Sequence, residues 1–284
     1  MYKYKIDLHI HSIYSYDHIA KATFLDIVKA GKLKGLDGLC ITDHNSFDGM
    51  IDFEKALVWA EKNNIVLLRG IELSTRSLDI LAYGLTPENY HLNKILKNSS
   101  KYTPQLVIDE LNRLGVVSVV AHPYRPSKFK PVQFIKITLG TVKKLKNYTA
   151  LEGYNGSNLL LKESSKIFDF NKKVITNMKE LGITKFTGGS DAHFPKFIGK
   201  CYTVFTEKIN NMDDLIENLK KGNFYGRPSY KSSEDFKMCR VCGEKVKRIR
   251  KIYNICYICN HRTHTKCLSD DRTNKKKRCK ACII

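Results

Sequence analysis

Seven short apolar runs in this 284-residue chain carry metal-binding side chains at or near their ends, and helical patterns separate them. The first run spans Tyr4 to His11. Alternation along a strand puts Tyr4, Ile6, Leu8 and Ile10 on one face and Asp7, His9 and His11 on the other, so two imidazoles project together. A strand with a solvated polar face has the same local pattern, and the later runs decide between the two. Leu36 to Ile41 closes on Thr42-Asp43-His44-Asn45, Ile65 to Ile71 on Glu72, and Val116 to Ala121 on His122-Pro123. Leu78 to Tyr83 carries Asp79 near its start, Ala150 to Asn155 contains Glu152, and Ile183 to Phe186 feeds the turn Thr187-Gly188-Gly189-Ser190-Asp191-Ala192-His193.

Between these runs, apolar residues at helical spacing predict helices over Thr23 to Leu33, Gly49 to Asn63 with Ser46 or Asp48 as its cap, and Pro104 to Leu114. A less regular helix is expected over Val132 to Leu145 and a long one over Leu159 to Leu181. This order predicts parallel strands joined by crossover helices. Seven such units with polar strand ends predict a barrel whose carboxyl-end mouth gathers those ends into one site. A lone His122 or Glu72 would more often be structural, and Asp43 alone could be a helix cap. Their recurrence is what points to divalent ions, for which His and carboxylate are suited donors. Two or three such ions acidify a water and stabilise the attacking and leaving oxygens at phosphorus, so phosphoester hydrolysis is the natural use. Asp43 is expected behind the ligands, orienting His44 or a neighbouring imidazole. Arg125 is the first candidate to grip a substrate phosphate and Arg227 the second, while Glu152 and Asn155 are placed at the mouth, with a backbone bond as the alternative for Glu152. The segment from Thr86 to Thr103 is short for a capping domain, which leaves the mouth open to extended phosphates.

The motifs Asp7-Leu8-His9-Ile10-His11-Ser12 with Ser15-Tyr16-Asp17, Thr42-Asp43-His44, Gly70-Ile71-Glu72, Ala121-His122-Pro123 and Gly189-Ser190-Asp191-Ala192-His193 resemble, in that order, the PHP family of polymerase and histidinol phosphatase domains. The resemblance covers roughly residues 1 to 228. It implies a distorted seven-stranded (βα)7 barrel, an α/β fold, holding two or three Zn, Mn or Fe ions. It further implies His9, His11, Glu72 and Asp191 as ligands of a first ion, Glu72 bridging to a second with His122, and Asp17, His44 and His193 at a third. Many relatives carry histidine where this chain has Asp79. Carboxylate is the harder, more anionic donor, which tilts that site toward Mn or Fe.

Residues 231 to 284 hold 16 Lys and Arg against 5 Asp and Glu, so a fifth of the chain carries +11 of the formal +21. A basic tail of this kind favours a polyanion, DNA or RNA above all. Cysteine is partitioned likewise. Cys40 and Cys201 read as small core residues, whereas the tail runs Cys239-x2-Cys242-x13-Cys256-x2-Cys259-x4-His264-x2-Cys267-x11-Cys279-x2-Cys282. Those eight donors suffice for two tetrahedral structural zinc sites, with His261 as a possible substitute. Their order resembles PHD and RING fingers, small treble-clef or cross-brace folds. That likeness implies interleaved pairs: Cys239, Cys242, His264 and Cys267 on one ion, Cys256, Cys259, Cys279 and Cys282 on the other.

The expected organisation is a phosphoesterase barrel over 1–228, a linker over 229–237 and a two-zinc finger over 238–284 that brings nucleic acid to the barrel or contacts a protein partner. No stretch approaches the roughly 20 apolar residues of a membrane span, and the N-terminus has no signal-peptide core, so a cytoplasmic location without membrane contact is expected. The leading expectation is a hydrolase of nucleotide or nucleic-acid phosphodiesters. Its rival is a non-catalytic adaptor that keeps the barrel as a scaffold and uses the finger to bind protein or nucleic acid.

Overall fold

The computed structural model describes residues 3–123, 140–157, 171, 174–229 and, further on, 253–255, 262–264, 268–271 and 276–279. Among the described residues ten strands precede residue 229: β1 Tyr4–Ile10, β2 Gly38–Ile41, β3 Val66–Arg69, β4 Ile71–Ser74, β5 Asp79–Tyr83, β6 Val117–Val120, β7 Ala150–Asn155, β8 Phe186–Gly189, β9 Cys201–Phe205 and β10 Phe224–Pro228. They form two five-stranded sheets, in the orders β10-β9-β1-β2-β3 and β4-β5-β6-β7-β8. The fold is mixed α/β, but the pairing is not parallel throughout. β1–β2–β3 and β6–β7–β8 run parallel, whereas β4–β5, β5–β6, β1–β9 and β9–β10 are antiparallel.

The expected third strand, Ile65 to Ile71, is two strands broken at Gly70. A Cβ there would stand 2.8 Å from the Ala82 carbonyl, so only glycine lets the chain cross from the first sheet to the second. Hydrogen bonds lace this seam: Gly70 N–H to the Ile41 carbonyl (2.8 Å), Glu72 N–H to that of Asp43 (3.1 Å) and Asn45 N–H to that of Glu72 (2.9 Å). Glu72 therefore lies inside β4 and not beyond a strand end. At the opposite seam, Asp191 N–H donates to the His9 carbonyl (2.7 Å) and His11 N–H to that of Ala192 (3.1 Å).

The helices follow their caps. Thr23 and Asp26 form a reciprocal capping box that starts helix Phe24–Leu33. Neither Ser46 nor Asp48 caps the next helix, Met50–Lys62, which is preceded by Gly49 at φ +78°; the Ser46 hydroxyl instead accepts the Asp48 N–H. Thr103 caps Pro104–Arg113. Residues 140–144 and 174–180 are helical, and the rest of the two helices expected there lies outside the described residues.

One core cluster lies between the sheets and draws on both. It contains Ile6, Leu8, Cys40, Leu68, Leu81, Tyr83, Val117, Val119 and Phe205. Each such side chain contributes about 1.5–3 kcal/mol when fully buried. Tyr83 satisfies its hydroxyl by donating to the Leu8 carbonyl across the sheets (2.9 Å). Cys40 and Cys201 are both buried, as expected. Among the described residues no helix is long and apolar enough to cross a membrane.

In the C-terminal part, Tyr253–Ile255 pairs antiparallel with Arg262–His264, and Leu268–Asp271 with Lys276–Cys279. Of the expected zinc ligands, His264 and Cys279 fall on these strands by backbone position. Cys239, Cys242, Cys256, Cys259, Cys267 and Cys282, with His261, lie outside the described residues.

Candidate metal centre

His9 and His11 are wholly buried, which excludes the solvated-face alternative for β1. Their Nε2 atoms sit 3.1 Å apart, and each faces Glu72 Oε2, at 3.0 Å and 3.1 Å. His44, just past β2, brings Nδ1 to 3.3 Å from the same oxygen. Glu72 Oε1 lies 2.9 Å from Nε2 of His122, which follows β6. Asp191 Oδ1 stands 3.1 Å from His11 Nε2 and 3.7 Å from His9 Nε2. Both sheets thus deliver donors to one point, and three overlapping groups can hold an ion: His9, Glu72 and His122; His9, His11 and Asp191; His11, His44 and His193.

The expected third group is arranged differently. Asp17 Oδ2 lies 3.0 Å from His193 Nε2, and it is His11 that closes with His44 and His193. Asp79 reaches 3.8 Å from His122 Nε2 at the rim. Asp43 does not orient an imidazole. Its two oxygens accept the Ser12 N–H and hydroxyl, each at 2.6 Å, and pin the loop after β1. The orienting carboxylate is Glu152, expected at the mouth or as a partner of backbone. Its Oε1 lies 2.9 Å from His9 Nδ1, while Oε2 accepts the His122 N–H (2.9 Å) and the Asn155 amide (2.8 Å). Asp7, expected on the face of His9 and His11, instead accepts Ser190 N–H (2.8 Å) and Gly199 N–H (2.7 Å), because the register of β1 shifts between Asp7 and Ile10 and breaks the alternation. It fixes the loop that carries Asp191. Arg125 lies outside the described residues, and Arg227 is exposed on β10.

The electrostatics suit a cation. Burial opposes charge on Glu72 and Asp191, yet the surrounding imidazoles hold both well below the usual carboxylate range. Burial also opposes charge on His11, but Asp191 and Glu72 overrule it and raise it to about 9. His44 goes the other way: burial and the His11 charge lower it to about 4, leaving a neutral donor. Asp191 Oδ1 and His44 Nδ1 are buried without a hydrogen-bond partner. An ion with bonds of about 2.0–2.1 Å separates adjacent ligand atoms by roughly 3–3.4 Å, the spacing that most of these donors keep. Asp191 and His122 carry the residual backbone cost, with φ +49° and +20°.

A family model described as PHP-associated matches residues 169–224. A probable histidinol-phosphatase of Thermotoga maritima is 27% identical over 238 residues, covering 77% of this chain and 93% of that protein. An uncharacterised protein of Methanocaldococcus jannaschii is 29% identical over 130 residues, 43% of this chain and 69% of its own length. Among solved structures, the lesion-specific endonuclease PfuEndoQ of Pyrococcus furiosus superposes with a TM-score of 0.54 at 19% identity, over 86% of this chain and 64% of that one. Endonuclease Q in complex with a 27-mer duplex, an abasic lesion at its active site, gives 0.50 at 19% identity, over 78% and 57%. The chain thus spans less than two thirds of these two structures, and the likeness to them is one of fold. The relatives with a named activity are hydrolases of phosphate esters, a phosphatase and nucleases.

Proposed function

We propose that this chain is a metal-dependent phosphoesterase whose centre is built from His9, His11, His44, Glu72, His122, Asp191 and His193, with Asp17 and Asp79 at its rim. The observation that carries this reading is the convergence of four imidazole nitrogens within 2.9–3.3 Å of one buried carboxylate, Glu72. Bonds at both seams between the sheets favour a distorted seven-unit barrel over 1–228 as the frame.

When bound, two or three divalent ions, Zn, Mn or Fe, supply Lewis acidity toward phosphoryl oxygens and acidify water toward neutral pH. The protein's own groups set the stage. Glu152 fixes the His9 ring by its Nδ1 and leaves Nε2 free to coordinate. Asp7 and Asp43 lock the two loops that bear Asp191 and Ser12. His9, His11, Glu72 and Asp191 are sealed from solvent, while His44, His193, Asp17 and Asp79 retain 12%, 10%, 20% and 25% side-chain exposure and mark the side from which a substrate approaches. Arg125 is the proposed phosphate grip.

The substrate we favour is a nucleotide or nucleic-acid phosphodiester. The charge of the chain supports this, as do the endonucleases that share the fold. The segment 238–284, after a linker over 229–237, is proposed as a two-zinc module that recruits polyanion. Purified protein should hydrolyse a generic phosphodiester, a phosphomonoester or single-stranded DNA with manganese or zinc, and His9→Ala and Asp191→Ala should abolish turnover. Activity that survives both substitutions rejects the centre, and none with any metal favours the adaptor.

A further inference from the structure

The outer face of β9 and β10 carries cations that the proposed chemistry does not use. Tyr202 pairs with Arg227 and Val204 with Tyr225, which puts Tyr202, Arg227 and Tyr225 on one face. Cys201, Thr203 and Gly226, all buried, take the other. Ser229 N–H donates to the Lys200 carbonyl (2.8 Å), so the register continues and Lys200 joins the face of Tyr202. Lys200 Nζ stands 4.3 Å from the centroid of Phe197, and Lys196 Nζ stands 4.7 Å from the same ring. At the far end Lys3 Nζ donates to the Tyr225 hydroxyl (3.2 Å) and lies 5.4 Å from its ring centroid.

Two ammonium groups on one phenyl ring repel each other. Burial and the Lys196 charge together draw Lys200 down to about 8. Among the described residues none of Lys196, Lys200 and Arg227 forms an ion pair with an acid. An external anion would relieve this frustration. The loop bearing both lysines begins at Asp191 and His193, which ties the face to the centre along the chain. Phe197 and Tyr202 pack half-buried against the core while Tyr225 is exposed, so cations set beside an exposed ring match the way sequence-tolerant single-strand sites are built, with phosphates on the cations and a base stacked on Tyr225.

We propose that Lys196, Phe197, Lys200, Tyr202, Tyr225 and Arg227 form a docking face for single-stranded nucleic acid beside the centre. Its purpose rests on the phosphodiesterase reading; its binding does not. The test uses the full chain and a fluorescein-labelled oligothymidylate of about 20 nucleotides, followed by anisotropy across a salt series. Lys196→Gln/Lys200→Gln/Arg227→Gln should weaken binding by about 10–100-fold and flatten the log–log salt slope by about 2, since each phosphate that a cation neutralises on a single strand adds roughly 0.7 to that slope. Hydrolysis of bis(p-nitrophenyl) phosphate by Lys196→Gln/Lys200→Gln should stay within about twofold, because neither lysine belongs to the centre. Unchanged affinity and slope overturn the proposal.

Arg227→Glu alone, at an exposed position, guards against misfolding of the triple variant, and an affinity equal to wild type again overturns the face. Tyr225→Ala should weaken single-strand binding by about tenfold and duplex binding less; equal losses overturn the single-strand assignment. Preferential binding of the wild-type face to phosphatidylserine vesicles would overturn it too. Absence of diester hydrolysis in wild type would sink the phosphoesterase reading while the oligonucleotide data still judge the face.

Discussion

Glu152 Oε1 sits 2.9 Å from His9 Nδ1, and its other oxygen accepts the backbone N–H of His122 at 2.9 Å, so one carboxylate sets two donors, one on β1 and one just past β6. Glu152→Gln keeps the volume but loses the negative charge that steadies the ring. Metal affinity should fall about 10–100-fold, with activity restored by excess metal. Titration of metal-stripped protein with manganese checks this, and an unchanged binding curve contradicts it.

Metal uptake should release protons. Without a bound ion, His11 is raised to about 9, and His9 and His122 are raised too, because the charges of Glu72 and Asp191 outweigh burial. Below its pKa each ring carries the proton that a metal must displace. Affinity should therefore climb by at least about tenfold per pH unit between about pH 6 and 8, flattening near 9. Calorimetry in buffers of different ionisation enthalpy counts the protons, and a pH-independent affinity would refute the assignment.

Gly189 ends β8 where a Cβ would collide with His9 Cβ and approach Glu152 Oε1 to 2.7 Å. Gly189→Ala should cost about 1–3 kcal/mol or more, since neither neighbour can retreat without moving the centre. Denaturant melts report the loss, and metal affinity should fall with it. A fully stable variant with intact binding would show that this seam can yield without disturbing the donors.

Removal of residues 238–284 should weaken binding of a nucleic-acid polymer while sparing turnover of a small ester. The segment supplies about half the excess charge, and counterion release makes that share salt-sensitive. Anisotropy and colorimetric rates on the truncated chain separate the two. Equal loss of both would contradict a modular tail.

The donors were legible because their types are distinctive and recur near the ends of short apolar runs; His9, His11, His44, Glu72, His122, Asp191 and His193 meet as that recurrence implied. Their support was not legible. Asp43 looked like a partner for an imidazole, yet it bonds Ser12, while Glu152 reads in sequence as one more acid within a strand. Which carboxylate backs which ring depends on pairings as much as 143 residues apart, and no local period encodes them. The same holds for the sheets. The break at Gly70 falls inside a continuous apolar run, and the antiparallel strands β9 and β10 carry no motif. Polar groups gathered from many strand ends survive such rearrangement, which is why their convergence was easier to foresee than the two sheets that carry them.

Because Gly70 hands the chain from one sheet to the other two residues before Glu72, the carboxylate that gathers the imidazoles belongs to the half opposite His9, His11 and His44. A cation held there would work as a rivet as well as a reagent. Stripping it leaves mutually crowded donors pulling on a joint that short hydrogen-bonded strands must then hold alone. The proposed catalysis and the joint between the sheets would thus depend on the same few atoms.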